Sequence, residues 1–265
     1  MLIKKISIIS FILMILSTNI VFAQKVNKES YSELTVEADE SLEWFEKEKY
    51  YLAKGNVLLK KNGLILKANM VKANYIIENK ENILKKIIAK DKVILIKDKA
   101  KATGQYMTYD TKKEIAFLSG PFQTFTSPSG YVESNKTIMF DDLKHEAEAV
   151  GKVKIILPNK TIIYADKVKA YFKTEDKSLN KAIAIGNVII ENKLKEKTSK
   201  ADLGFYNSSS ETVKLEGNVV IINQDSSIRG TKGITNLKTG ISNIIGDPKN
   251  KKRVKGVFAP IKKTK

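Results

Sequence analysis

The chain has 265 residues, enough for one large β domain or two ordinary ones, and it contains no Cys and a single His, His145. A disulfide framework and a thiolate metal site are therefore excluded, and neither a zinc or copper centre nor a cofactor is expected. The formal net charge is +18, but Arg229 and Arg253 are the only arginines; because nucleic-acid clamps rely on the bidentate guanidinium, we expect no nucleic-acid partner.

The N-terminal end has the features of an export signal. Two lysines precede an apolar run from Ile6 to Leu16, and a polar break leads into Val21-Phe22-Ala23, which is typical of a cleavage site. A membrane-spanning helix needs roughly 20 apolar residues, so this run is short for a span. We therefore expect residues 1–23 to be a cleaved signal peptide, with a retained anchor as the alternative, and residues 24–30 to be flexible.

A short motif recurs along the rest of the chain: a small or acidic residue, then Asn or Lys, then a Val that opens an apolar run. Copies lie at Gly55-Asn56-Val57, Asp91-Lys92-Val93, Gly151-Lys152-Val153, Gly186-Asn187-Val188 and Gly217-Asn218-Val219, with a degenerate copy at Gly120-Pro121-Phe122. Their first residues are 29 to 36 positions apart. A repeat of this length predicts about six stacked units that bury one continuous apolar interior.

The apolar runs within each unit are short and bounded by turn residues, which predicts strands rather than helices. Val57–Leu59 and Leu64–Leu66 flank Asn62-Gly63, a pair that favours a tight hairpin because both positions accept a positive φ. The sequence therefore predicts an all-β fold, with a single elongated domain over residues 31–260 and a basic, disordered tail at residues 261–265.

Strand alternation places every second residue of a strand on the same face. We expect the following apolar residues to face inward: Leu34, Val36, Val57, Leu59, Leu64, Leu66, Val93, Leu95, Val153, Ile155, Val188, Ile190, Val219 and Ile221. For each residue alone, an ordinary core role is the simpler interpretation. Trp44, the single tryptophan, is expected either to line the mouth of this interior or to cap the sheet.

The two ends of the repeat array carry a resemblance to a known family. The opening strand Leu34–Asp39, followed by Trp44 and then Ala53-Lys54-Gly55-Asn56-Val57, is similar to the start of OstA-like domains, where "I-x-A-D-x-x-x-Y/W" precedes "A-x-G-N-V". The closing segment Arg253–Pro260 resembles the "R-V-x-x-x-x-x-P" finish of lipopolysaccharide transport protein A. Together these elements resemble the OstA-like (LptA) family over essentially the whole mature chain. The extra repeats from about Gly120 to Gly186 leave the bridge protein and a paralogue as alternatives.

The resemblance implies a fold and a function. The fold would be a twisted β-jellyroll that is open along one side, with an apolar interior that holds acyl chains of lipopolysaccharide. The protein would then be a periplasmic, non-enzymatic bridge that carries lipopolysaccharide, bound through lipid A, from the inner to the outer membrane. The residues in contact with lipid would be Trp44 and the fourteen inward residues named above.

The resemblance also implies docking through unpaired edge strands, with Leu34 and Val36 at the N-terminal edge and Val254, Val257 and Phe258 at the C-terminal edge. The expected partners are the inner-membrane-anchored and the outer-membrane components of lipopolysaccharide transport. Head-to-tail self-association through the same edges is a further expectation.

The residues themselves leave another function open. An exported structural or adhesive β-solenoid would also be basic and repetitive; it would bind anionic surface glycan and no acyl chain. An enzyme is not expected, because the chain has no G-x-S-x-G, P-loop or H-E-x-x-H motif and no visible catalytic carboxylate pair. Binding of acyl chains separates the bridge from the β-solenoid.

Overall fold

The structure is a computed structural model that describes residues 34–258, apart from residues 62, 195, 225 and 240. The expected signal peptide at 1–23, the flexible residues 24–30 and the tail at 261–265 lie outside the described residues. Within the described part of the chain, no helix has the length and apolar character needed to cross a membrane. All the regular elements in that part are β-strands, which confirms the predicted all-β fold.

The strands are numbered in chain order. Their bounds are β1 Thr35–Glu37, β2 Ser41–Phe45, β3 Tyr50–Lys61, β4 Leu64–Glu78, β5 Glu81–Lys97, β6 Ala100–Asp110, β7 Ile115–Ser119, β8 Gln123–Ser127, β9 Gly130–Ser134, β10 Thr137–Asp141, β11 Glu146–Ile156, β12 Thr161–Phe172, β13 Leu179–Asn192, β14 Lys197–Asn207, β15 Thr212–Asn223, β16 Ser226–Asn236, β17 Ser242–Ile245 and β18 Lys255–Val257. All of them join one antiparallel sheet in which long neighbouring strands pair along their whole length.

A register shift interrupts the pairing of the long strands near their middle. At each end of the sheet, the two halves of the last long strand pair with two different short strands. The second half of β3 pairs with β1, whereas its first half pairs with β2. In the same way, β16 pairs with β18 through its first half and with β17 through its second. The sheet is therefore folded along the line of register shifts into two layers that face each other.

We call the half of the sheet that contains β1, β8, β9 and β18 the upper layer, and the half that contains β2, β7, β10 and β17 the lower layer. The clearest contact between them joins Phe125 of β8 to Phe140 of β10, whose ring centroids are 5.3 Å apart although the two strands are not paired. This arrangement is the folded-over sheet that a β-jellyroll requires, as predicted.

The recurring motif produces the fold line. At Gly186-Asn187 both residues have a positive φ, 75° and 49°, which inserts a bulge that bends β13. The Asn187 amide donates to the Asp166 carboxylate of β12 at 2.8 Å and so fixes the second left-handed residue. The same amide-to-carboxylate bond occurs at 2.7 Å in Asn56–Asp39 and at 2.9 Å in Asn218–Asp202.

The degenerate copy at Gly120-Pro121-Phe122 behaves differently. It forms no bulge within a strand but separates β7 from β8, which pair with the two halves of β6. Pro121 lacks the backbone N–H that a continuous strand would need here. The strand is therefore interrupted where the chain crosses from the lower to the upper layer. Residues 135 and 136 form the matching break between β9 and β10.

Candidate functional site

Two rows of side chains run along the interior, one on each layer, and each residue is the register partner of the next. The upper row comprises Val36, Leu59, Leu66, Leu95, Ala102, Phe125, Val132, Ile155, Ile163, Ile190, Ser199, Ile221 and Ile228. The lower row comprises Trp44, Tyr51, Ala73, Ile87, Tyr109, Ala116, Phe140, Ala147, Ala170, Ala182, Tyr206, Val213 and Thr235. The two rows face each other, so they define the walls of any interior channel.

Burial along the two rows changes at one place. From Leu59 in the upper row and Ile87 in the lower row, every member is buried up to the Phe125–Phe140 pair. Beyond that pair the members of both rows are only half-buried, with the single exception of Ile221. The interior is therefore closed by its own side chains on the N-terminal side of Phe125 and Phe140, and open on the C-terminal side.

The open stretch is a groove with an apolar floor. Its floor lies beside the fold line and consists of fully buried small side chains: Val153, Ala165, Val188, Ala201 and Val219. Three consecutive lower-row positions are alanines, Ala147, Ala170 and Ala182, where the closed stretch has Tyr109 and Phe140. Small side chains on one wall leave space in front of the isoleucines Ile155, Ile163 and Ile190 on the other.

The rim of the open groove is polar. Three polar residues occupy successive register positions on the upper layer, toward the hairpin turns: Thr161, Asn192 and Lys197. The Asn192 side-chain amide donates to the Thr161 hydroxyl at 3.2 Å. We call the opening between the two layers, on the side away from the fold line, the mouth. Lys197 extends across the mouth and donates from Nζ to Ser242 Oγ of β17 at 3.1 Å. An apolar trough with hydroxyl, amide and ammonium groups along its edge suits an amphipathic ligand whose chains lie inside and whose polar head stays at the mouth.

Two charged side chains lie at the mouth of the closed stretch. Lys97 at the end of β5 is 4% exposed, and Asp142 just after β10 is 1% exposed. Burial lowers the pKa of Lys97, and the neighbouring carboxylates of Asp98 and Asp142 oppose that shift. Burial, together with the Glu114 carboxylate, raises the pKa of Asp142 to about 7. Among the residues that the structure describes, neither carboxylate oxygen of Asp142 has a hydrogen-bond partner.

Tyr109 of the lower row lies beside this pair. Burial raises the pKa of the Tyr109 hydroxyl, and the Asp142 carboxylate adds to the shift. Lys97 belongs to the upper layer and Asp142 to the lower layer, and each charge contributes to the pKa of the other. Two buried charged side chains therefore lie toward the mouth in the region where two aromatic rings close the channel.

The N-terminal end of the lower row carries an aromatic stack. The Trp44 and Tyr51 rings lie 5.9 Å apart, and Tyr51 stacks on Tyr75 at 5.0 Å. Trp44 also donates from its indole nitrogen to the Tyr75 hydroxyl at 2.8 Å. Trp44 is 59% exposed on the edge strand β2. Both roles considered for it, lining the mouth of the interior and capping the sheet, stay predictions.

The other predicted interior residues fall into three groups. Ten are buried, namely Val57, Leu59, Leu64, Leu66, Val93, Leu95, Val153, Val188, Val219 and Ile221. Val36, Ile155 and Ile190 are half-buried, and Leu34 is 51% exposed just before β1. Of the predicted set, Ile155, Ile190 and the buried Ile221 lie along the upper wall of the open groove, and Val153, Val188 and Val219 lie on its floor. Lipid contact stays a prediction for the whole set.

Sequence reasoning missed part of this site. Ile163 occupies the upper row between Ile155 and Ile190, and alternation from Ala165 was the signal that places it inward. The lower wall was missed because three of its six members are alanines, which carry little apolar signal. The Phe125–Phe140 contact joins two unpaired strands, so no local pattern reveals it.

Each end of the sheet presents strands that pair on one side only. These are β1 and β2 at the N-terminal end and β17 and β18 at the C-terminal end. Both ends are apolar, and the exposed residues are Leu34, Leu42 and Trp44 at one end and Ile241, Ile245, Val254, Val257 and Phe258 at the other. Of the predicted docking residues, Val257 lies in β18, and Val254 and Phe258 flank it.

Comparison with known proteins gives one family. The chain matches the LptA/(LptD N-terminal domain) LPS transport protein family twice, over residues 35–139 and over residues 131–241. A crystal structure of LptH, the LptA homologous periplasmic component of the lipopolysaccharide transport device of Pseudomonas aeruginosa, is similar at 11% identity, with 86% of this chain and 96% of that chain covered and a TM-score of 0.23. No curated protein matches the chain.

Proposed function

Because the chain belongs to the LptA/(LptD N-terminal domain) LPS transport protein family, we propose that it is a periplasmic carrier that binds lipopolysaccharide and passes it from the inner to the outer membrane. The acyl chains of lipid A lie in the open groove, and the sugar and phosphate groups stay at its rim. Transport by sliding along such a groove needs an apolar path and an external driving force, and it needs no catalytic residue.

One observation carries the proposal: beyond the Phe125–Phe140 pair, the apolar side chains of the two facing walls, Ile221 excepted, stay half-buried. Ile155, Ile163 and Ile190 remain half-buried opposite Ala147, Ala170 and Ala182. A protein interior of this size normally closes to crystal-like packing, so unfilled apolar walls favour an apolar ligand. The excess of lysine, with a formal net charge of +18, favours an anionic one. Lipid A, with several acyl chains and phosphate groups, meets both requirements.

The proposed partners follow from the ends of the sheet. An inner-membrane-anchored component and an outer-membrane component of the transport machinery would each extend the sheet by pairing with one of the two exposed edges. Val36 at β1 and Val257 at β18 lie on these edges. A second copy of the chain would use the same contacts head to tail, since opposite edges on one molecule generate an open stack.

The test is site-specific photo-crosslinking of the purified protein to lipopolysaccharide. A photoreactive amino acid replaces Ile155 or Ile190 in the groove and, as controls, Lys154 or Ile189, which are their outward-facing neighbours on the same strands. We expect adducts at Ile155 and Ile190 alone. Absence of adducts at all four positions in a folded protein would reject the carrier and favour the structural or adhesive β-solenoid that binds anionic glycan.

Export is tested separately. Fractionation of a cell envelope, followed by mass determination of the protein, is expected to recover the chain from the periplasm without residues 1–23. Recovery of the intact chain from the inner membrane would instead identify a retained anchor, and the protein would then be an anchored relative of the carrier.

A further inference from the structure

The closed part of the interior ends where the two family matches meet. The first match ends at residue 139 and the second begins at residue 131, so they overlap across β9 and the start of β10. Phe140 follows this overlap directly, and Phe125 lies on β8, which pairs with β9. The Phe125–Phe140 contact is therefore at the seam between two family units within one chain.

The seam blocks the channel across its whole depth. The two rings span from the upper to the lower layer at 5.3 Å and are 2% and 5% exposed. Nearer the fold line, Gln123 and Ser134 fill the floor, with the Ser134 hydroxyl donating to Gln123 Oε1 at 3.2 Å. Nearer the mouth, Lys97 of the upper layer and Asp142 of the lower layer are both buried, at 4% and 1% exposure. No space for an acyl chain remains at this cross-section.

The seam contains charged side chains, whereas a permanently closed core would be apolar. The buried Lys97 and Asp142 lose their hydration while the mouth is shut and regain it when the mouth opens. Within the described residues, neither carboxylate oxygen of Asp142 accepts a hydrogen bond in the closed state, and the charges of Lys177 and Lys97 offset part of this cost. The buried charges therefore favour opening of the seam more than an apolar core of the same size would.

We propose that Phe125 and Phe140, together with Lys97 and Asp142 above them, form a gate that controls passage of an acyl chain between the open groove and the N-terminal half of the interior. The gate rests on the proposed lipid-carrier function and adds to it a control point at the border between the open groove and the closed stretch. Lipid occupies the C-terminal groove with the gate shut, and it reaches the upper-row residue Leu66 only after the four side chains have moved and the two packed rows behind them have separated.

The test uses the absence of native cysteine. Lys97→Cys and Asp142→Cys are combined and joined by a short bifunctional thiol reagent, which clamps the two layers at the mouth. The matched control is Lys101→Cys with Thr126→Cys, a register pair within the upper layer that cannot clamp the layers together. Each protein carries a diazirine amino acid of aliphatic size at Leu66 or at Ile190, and lipopolysaccharide is added before irradiation.

The clamped protein is expected to lose the Leu66 adduct and keep the Ile190 adduct, while the control keeps both. Equal Leu66 adducts in the clamped and unclamped proteins would overturn the gate and leave the carrier function standing. Loss of both adducts in every protein, including the unclamped one, would overturn the carrier function and the gate with it.

A second variant tests the rings without a clamp. Phe125→Ala combined with Phe140→Ala removes both rings from the seam, and Phe117→Ala, on the outward face of β7, removes a ring without touching the channel. The double variant is expected to raise the ratio of Leu66 to Ile190 adducts, and the control variant is expected to leave this ratio unchanged. An unchanged ratio in a folded double variant would contradict the gate.

Discussion

Asn218 donates from its side-chain amide to the Asp202 carboxylate at 2.9 Å and thereby ties the bend of β15 to β14. Asn218 has a φ of 48°, a conformation that costs other L residues about 1–2 kcal/mol. Asn218→Ala is expected to lower the free energy of unfolding by about 2 kcal/mol, because it loses both the bond and the tolerance of positive φ. Urea unfolding measures the change.

A comparison with Asn218→Gly separates the two contributions. Gly accepts the positive φ but has no amide, so it is expected to recover part of the loss. Equal stability of the Ala variant and the native protein would show that the Asn–Asp bond does not hold the bend. Gly217, the preceding residue, is more constrained, because a Cβ there would collide with the Asp202 carboxylate.

Substitution of a groove residue is expected to separate binding from stability. Ile190 is half-buried on the upper wall of the open groove, so Ile190→Asn is expected to weaken lipopolysaccharide binding by about tenfold while costing only about 1 kcal/mol of stability. Leu66 is 2% exposed in the closed stretch, and Leu66→Ala is expected to cost about 3 kcal/mol.

The control for this experiment is Ile189→Asn, on the outward face of the same strand. Binding is measured by displacement of a fluorescent acyl probe, and stability by urea unfolding. If Ile189→Asn and Ile190→Asn weaken binding equally, the groove wall is not the site of lipid contact.

Most of the fold could be predicted from the repeat motif and from strand alternation in the sequence. Each Gly-Asn-Val copy marks a bend, and the alternation at Val153, Val188 and Val219 matches fully buried positions. Alternation does not predict the distance between the layers, because this distance depends on the size of facing side chains that are far apart in the chain. The closed and open parts of the interior have the same alternation and differ only through pairs such as Phe125 and Phe140.

The buried charges escaped sequence analysis for a related reason. Asp142 follows Asp141 in a polar run and looks like a loop carboxylate without a partner. Its burial follows from tertiary packing, and the charges that shift its pKa come in part from distant segments: Lys177, and Lys97, which lies 45 residues earlier in the chain and on the opposite layer. Interactions between segments so far apart leave no periodic signal in either of them.

The exposed edges give a prediction about self-association. Val257 and Phe258 are 55% and 70% exposed at the C-terminal edge, where an added strand would cover them. Combining Val257→Lys with Phe258→Lys is expected to raise the dissociation constant for head-to-tail assembly by about tenfold or more, through lost apolar burial and added charge repulsion. Sedimentation velocity at several concentrations measures it.

The matched control places the same charge away from both edges. Leu143 and Leu194 are 61% and 67% exposed in the turns between β10 and β11 and between β13 and β14, so Leu143→Lys combined with Leu194→Lys is expected to leave assembly unchanged. An equal effect of the edge and turn variants would mean that net charge, and not the edge contact, governs association.

The buried carboxyl at the seam gives stability a pH dependence of definite sign. Burial and the Glu114 carboxylate raise the pKa of Asp142 from its ordinary value of 3.8 to about 7, while Lys97 and Lys177 oppose the shift. Between these two values the folded protein holds a proton at Asp142 that the unfolded chain has released. The Asp142 contribution to stability therefore falls as pH rises from about 4 to about 7, by at most about 1.4 kcal/mol per pH unit.

Asp142→Asn removes this contribution, because an amide does not ionise in this range. The free energy of unfolding of the variant minus that of the native protein is expected to increase steadily from pH 4 to pH 7 and to stay constant above that. Urea unfolding at half-unit pH intervals provides the comparison, and taking the difference cancels the titration of the other carboxylates. Parallel pH profiles for the two proteins would mean that Asp142 is solvated in solution, and the mouth above Phe125 and Phe140 would then be open without any ligand.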